Sequence, residues 1–217
     1  MSSAKQIIEC VPNFSEGKND IIINEITQEI RAVEGVKLLH VDSGKDANRT
    51  VITFVGAPEA AVEAAFRAIK KASETIDMRR HSGEHPRIGA TDVCPLIPIA
   101  GISMKEVIAY AQQLGRRVGE ELGIPVYLYE EAATAAERKN LSDTRSGGYE
   151  GLEAKLRDPQ WQPDFGPAMF NPKTGATVIG ARDFLIAYNI NLNTSSVQTA
   201  NAIACDIREN GRTKTMN

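Results

Sequence analysis

Apolar residues at Ile22, Ile23, Ile26, Ile30 and Val33 recur at three- and four-residue steps, the spacing of one buried helix face. They predict a helix from Asp20 to Val33, ended by Gly35. Ahead of it, Gln6–Val11 reads as a short strand closed by Pro12, and Asn13–Gly17 has the composition of a loop. Val36–Val41 and Val51–Val55 read as strands, joined by Asp42–Arg49, a connection too polar to be core. Pro58 suits the first turn of a second helix, whose apolar face carries Val62, Phe66, Ile69 and Ile76. Periodicity lapses from Met78 to Thr91 and resumes as a strand-like run over Val93–Pro98. Ser103 and Glu106 have capping-box spacing; Val107, Leu114, Val118 and Leu122 mark that helix's face, and Gly123 its end. Pro125–Tyr129 is the next strand. A polar stretch, Glu130–Gly148, precedes a short helix at Tyr149–Leu156 and a loop at Trp161–Pro167 that has the composition of a ligand loop. Phe184–Leu192 reads as a long strand, and Ser196–Asn210 as a helix with Val197, Ile203 and Ile207 inward.

Strands and helices in that order predict an α+β fold, a mixed sheet of ferredoxin-like flavour with helices on one face. Residues 1–180 form one unit, and 181–217 supply only the first strand and helix of a second, similar one, leaving the strand 184–192 short of sheet partners. With 217 residues and 42% hydrophobic content the chain can bury a sizeable core. The formal charge of −3, with both signs interspersed, argues against nucleic acid as a partner. Neither a signal-peptide core nor a membrane-length apolar run is visible, and Cys10, Cys94 and Cys205 are odd in number and far apart. These features point to a cytoplasmic protein without disulfides.

The densest chemistry lies in His81–Asp92, where two imidazoles, two carboxylates and an arginine share a segment with two glycines and a proline. A histidine in a loop can take and return a proton during group transfer; alternatively either ring caps a helix or bonds a backbone carbonyl. Zinc held by His81, His85 and Cys94 or Asp92 is disfavoured, because Gly83 and Pro86 prevent the helix on which an H-x-x-x-H pair would share a face. No metal is expected. Cys94 could be a nucleophile with His85 as base, yet its apolar run makes it a small core residue. Asp42, Asn48 and Arg49 border a loop that could bind polar groups or merely be solvated. Gly166–Gly175 combines turn formers with Met169 and Phe170, so it could offer an aromatic face to a flat heterocycle; taken alone, it reads better as an ordinary surface loop.

Seven segments in collinear order carry a resemblance over essentially the whole chain. They are Glu9–Gly17, Asn48–Thr50, Gly83–Arg87, Asp92–Pro95, Pro125–Tyr129, Asp164–Pro167 and Ala187–Asn191. The chain resembles the glutamate formimidoyltransferase family. That resemblance implies transfer of the formimidoyl group from N-formimidoyl-L-glutamate to N5 of tetrahydrofolate, a step of histidine breakdown and one-carbon metabolism, by a homodimer. It implies that His85 is the catalytic acid/base and that Asp42 lies near the active site. It implies a folate-contacting segment made of Gly166, Pro167, Ala168, Met169, Phe170, Asn171, Pro172, Lys173, Thr174 and Gly175. Arg49 and Arg87 are then the nearest forks for substrate carboxylates, and Asp42 or Glu84 could hold the amidinium. Two alternatives stay open: a formyl donor in place of the formimidoyl one, and a non-catalytic or incomplete folate-binding module.

Overall fold

The computed structural model describes residues 5–185, 190 and 192–207. Seven strands make one mixed sheet: β1 (Ile7–Cys10), β2 (Asn13–Phe14), β3 (Val36–Gly44), β4 (Arg49–Gly56), β5 (Thr91–Ala100), β6 (Val126–Glu130) and β7 (Thr177–Ala181). β1 and β2 lie end to end between β4 and β5, antiparallel to both. Pro12, which lacks an N–H, sits at the break, where its carbonyl still accepts from Ile52 N–H at 3.0 Å. β3 pairs antiparallel with β4, whereas β7 runs parallel to both β5 and β6 and fills the space between them.

Alternation along the strands sends two sets of side chains to opposite faces. Ile8, Cys10, Ile52, Phe54, Cys94, Leu96, Leu128 and Ile179 belong to one core with helices α1 (Asp20–Arg31), α2 (Pro58–Thr75) and α3 (Met104–Leu122). Their helical faces supply Ile26 and Ile30, Val62 and Ile69, and Val107, Leu114 and Val118. Asn19 caps α1, the Ser103–Glu106 capping box starts α3, and Gly123 ends it at φ 64°. Val93, Tyr127, Tyr129 and Val178 point the other way, into a smaller core with Leu152 and Leu156 of α5 (Gly148–Arg157). The expectation of helices on one face therefore holds for α1–α3, while α5 covers the opposite face of the β5–β7–β6 half. The connection before α5 also holds a short helix, α4 (Leu141–Thr144), within a stretch whose sequence predicts only polar loop.

Strand β7 is not among the predicted elements. Both its faces are buried, so it shows no alternation, and Gly180 interrupts its apolar run. That glycine is required, because a Cβ there would collide with the ring and carbonyl of Tyr129. The Asp42–Arg49 connection is shorter than expected: β3 runs on to Gly44, so Asp42 is a strand residue opposite Val51, and only residues 45–48 form the turn.

The chain divides into two compact units, residues 1–183 and 184–217. In the second unit α6 (Val197–Ile207) forms as expected, but Val197, Ile203 and Ile207 are exposed rather than inward. Residues 186–189 and 191 of the strand expected over 184–192 lie outside the described residues; Phe184, Leu185, Ile190 and Leu192 are described, exposed and in no strand. Cys10 and Cys94 sit buried with their Sγ atoms 3.5 Å apart, and burial pushes the Cys10 thiol up, as suits core thiols rather than nucleophiles. Among the described residues no helix is long and apolar enough to cross a membrane.

Candidate functional site

Three backbone segments converge beside the β3–β4 turn. Asn48, in the left-handed region at φ 47°, is their junction. Its Oδ1 accepts from Gly17 N–H at 3.0 Å, its Nδ2 donates to the Ser82 carbonyl at 2.9 Å, and its own carbonyl accepts from His81 Nε2 at 2.8 Å. Gly83 allows this approach, since a Cβ there would strike the Ala47 carbonyl.

The two histidines of the loop differ in what their nitrogens do. Because the Asn48 carbonyl can only accept, His81 carries its proton on Nε2; Nδ1 accepts from Arg87 Nε at 3.1 Å. Both nitrogens are engaged, and burial holds the ring's pKa below the ordinary histidine value. His81 is thus a fixed, neutral brace. In His85, Nδ1 donates to the Pro86 carbonyl at 2.7 Å, which leaves Nε2 as a bare lone pair with no hydrogen-bond partner among the described residues. Burial, then the charge of Arg49, lower the His85 pKa; Arg145 lowers it further, against the Pro86 carbonyl and Asp92, which raise it. A neutral ring tied at one nitrogen and free at the other is the form a general base requires.

Around His85 the charges are unevenly matched. Asp92, almost fully buried, accepts from Ile88 N–H at 3.1 Å and is ion-paired to Arg145. Arg49 donates to Asn13 Oδ1 and has no carboxylate partner among the described residues, and its buried Nε has no hydrogen-bond acceptor. Asp42 lies on the same sheet face, two residues along β3 from Gly44, which pairs with Arg49. Arg87, expected as a substrate fork, is already occupied: its two terminal nitrogens lie 2.9 and 2.7 Å from Glu150, and its guanidinium covers the Tyr149 ring. Glu84 is exposed, and its N–H donates to the Asp46 carbonyl at 3.3 Å.

The 166–175 segment is attached to the histidine loop. Met78 N–H donates to Lys173 O at 3.0 Å, Ala90 N–H to Thr174 O at 2.8 Å, and Ala176 N–H to Ile88 O at 3.0 Å. Gly89 and Gly175 form a bridge so close that a Cβ on Gly89 would collide with the Ala176 carbonyl. Tyr149 adds its hydroxyl to the Pro172 carbonyl at 2.5 Å and packs its ring on Phe170, with centroids 5.5 Å apart. At the other end Gly166 (φ 80°) abuts Ile124 and α3, and Met169 between them is exposed. The preceding loop, which has the composition of a ligand loop, is fastened into the fold. Asp164 forms a buried ion pair with Arg138 at 2.7 Å and accepts from Leu128 N–H, and Phe165 bridges to Val126 while packing on Gly115 and Gly119 of α3.

Four residues of the site, Asn13, Arg145, Tyr149 and Glu150, are not singled out by the sequence. Arg145 and Glu150 lie in or beside a polar stretch where nothing marks one charge as buried or paired; Asn13, expected in a loop, is a strand residue. Among the described residues no group of three or more His, Cys, Asp or Glu side chains is placed to hold a metal.

Residues 7–182 match the family model described as formiminotransferase domain, N-terminal subdomain. The formimidoyltransferase-cyclodeaminase of Sus scrofa is 55% identical over 209 residues, 96% of this chain and 38% of that protein. Glutamate formimidoyltransferases of Thermoplasma acidophilum and Streptococcus pyogenes serotype M1 are 50% and 46% identical. The match covers 93% and 95% of this chain, and 67% and 69% of theirs. The chain therefore spans well under half the length of the cyclodeaminase-containing relative and about two thirds of the shorter ones.

Proposed function

The chain belongs to the formiminotransferase family, as its N-terminal subdomain, and from that membership we propose that it moves a formimidoyl group from N-formimidoyl-L-glutamate to N5 of tetrahydrofolate. One observation carries the mechanistic reading: a neutral His85 with its Nδ1 proton tied to the Pro86 carbonyl and its Nε2 lone pair free. N5 attacks the amidine carbon and forms the new C–N bond; His85 Nε2 takes the N5 proton. The tetrahedral adduct then collapses, the bond to the glutamate nitrogen breaks, and His85 returns the proton to that departing amine. One residue serves both steps, so charge and protons balance over the cycle.

Arg49 is assigned to a carboxylate of the donor, because its guanidinium lacks an anionic partner among the described residues and its Nε lacks any acceptor. Asp42, on the same sheet face as Arg49, is read as the carboxylate that holds the amidinium, which their shared face supports. Residues 166–175 take the folate, with the Phe170–Tyr149 pair and exposed Met169 as the apolar surface for its ring. Arg87 serves this reading as a brace for His81 rather than as a substrate fork. Residues 181–217 are read as the beginning of a second subdomain, which the exposed apolar side chains of α6 and its approach support. A cytoplasmic homodimer completes the proposal.

The test is release of glutamate from formimidoylglutamate in the presence of tetrahydrofolate. Its pH dependence should fall away on the acid side only below the ordinary histidine midpoint of about 6.5, because protonating His85 removes the base and its pKa is lowered. An acid limb at or above that value would sink the assignment of His85. Binding of tetrahydrofolate without any release of glutamate would favour the non-catalytic module. Arg49→Met is expected to raise KM for formimidoylglutamate about 10- to 100-fold with a smaller change in kcat, the worth of a charge-assisted contact made equally in ground and transition states. An unchanged KM would remove Arg49 from the donor site.

A further inference from the structure

Asp92 and Arg145 are brought together from β5 and from the turn between α4 and α5, more than fifty residues apart, at a place where an ion pair is costly to bury. Asp92 is 1% exposed. One of its oxygens accepts the N–H of Ile88, three residues beyond His85, so the carboxylate anchors the turn that carries the histidine. Arg145 closes on the carboxylate with two guanidinium nitrogens. The charges acting on His85 come from three elements: Arg49 on β4, Asp92 on β5, and Arg145 before α5. Arg49 has no carboxylate partner of its own among the described residues, and of the charges acting on His85 only Asp92 favours its protonation.

We infer that Asp92 and Arg145 are a positioning pair for His85: Asp92 holds the turn that carries the ring through Ile88, and Arg145 matches the charge of the buried carboxylate. The charge of Asp92 acts the other way, favouring a proton on the ring, and Arg145 opposes it. Without Asp92, Arg145 and Arg49 together would press harder against protonation. The two partners therefore have opposite electrostatic effects on one histidine although they belong to one ion pair. The functional meaning of the pair rests on the reading of His85 as proton carrier, but its test does not.

The chain has three histidines, His40, His81 and His85, so ring NMR titrations resolve each one. The His85 midpoint should rise by about 1 unit in Arg145→Gln and fall by a similar amount in Asp92→Asn. Arg145→Lys, which keeps the charge and loses the fork, should leave it near the wild-type value. A purely structural role predicts a different pattern: a loosened loop exposes the ring, and both variants drift upward toward about 6.5. Shifts of the same sign, or no shift in either, overturn the inference. Should Arg145→Gln fail to fold, the downward shift in Asp92→Asn decides alone, because loop loosening cannot produce it. His81, braced by Asn48 and Arg87, reports whether the loop is intact. In the transfer assay, an acid limb that stays fixed while the NMR midpoint moves would refute His85 as the base and leave the pairing intact.

Discussion

Replacing His85 with alanine is expected to lower the rate of formimidoyl transfer by about 10²- to 10⁴-fold, the usual contribution of a positioned acid/base group. The loss should fall on kcat and on kcat/KM alike, because the proton moves only as the transition state forms. Folding should be barely affected: the ring is hydrogen-bonded to the adjacent Pro86 carbonyl and belongs to neither hydrophobic core, so its removal opens no core cavity. His81→Ala makes the contrast. That ring links Asn48 to Arg87, and its loss unties the loop, with melting behaviour disturbed as well as rate. Transfer that survives His85→Ala within about tenfold would move the proton transfers to another group, and the chemistry proposed for this loop would have to be rebuilt.

The largest effect on stability is expected away from the chemistry, in Arg138→Met. The side chains of Arg138 and Asp164 are only 8% and 7% exposed; the arginine also donates to the Gln162 carbonyl at 2.6 Å and lies over the Tyr127 ring. Removing the arginine leaves Asp164 as an uncompensated buried charge, a defect worth about 3–5 kcal/mol. In a chain of this size that corresponds to a fall in Tm on the order of 10 °C. Because Asp164 fastens the 162–165 segment to Leu128 on β6, the damage should extend to the start of the 166–175 segment. Thermal unfolding checks the first claim and tetrahydrofolate affinity the second. A Tm within about 2 °C of wild type would show that Asp164 finds other compensation.

What is legible in the sequence follows from which signals are local. The faces of α1, α2 and α3 are readable because each is amphipathic and bounded by residues that act locally, such as Ser103 with Glu106 and the αL glycine at 123. β7 is not, since a strand buried on both faces carries no alternation and Gly180 is dictated by Tyr129, far back along the chain. The same division holds at the site. His85 can be singled out by its loop setting, but its tautomer depends on the local backbone conformation that turns the adjacent Pro86 carbonyl onto Nδ1, which composition does not show. Arg49 and Arg87 look alike in sequence; Glu150 distinguishes them by occupying one and not the other. Arg145 is one charge in a polar stretch until Asp92 is seen opposite it.

The position of β7 bears on the order in which the molecule can assemble. Among the described strands β6 pairs only with β7, and β7 is the last strand of the unit to leave the ribosome. Until residue 181 has been made, β6 and the aromatic side chains of Tyr127 and Tyr129 wait beside an open slot next to β5. Insertion of a late strand between two earlier ones is a non-local, parallel event whose loop-closure entropy is met before its hydrogen bonds form. The strands on the far side of the slot can pair without it. Synthesis and folding of this unit are therefore coupled at its final strand: a pause or a cut before Thr177 leaves β6 without the strand that joins it to β5.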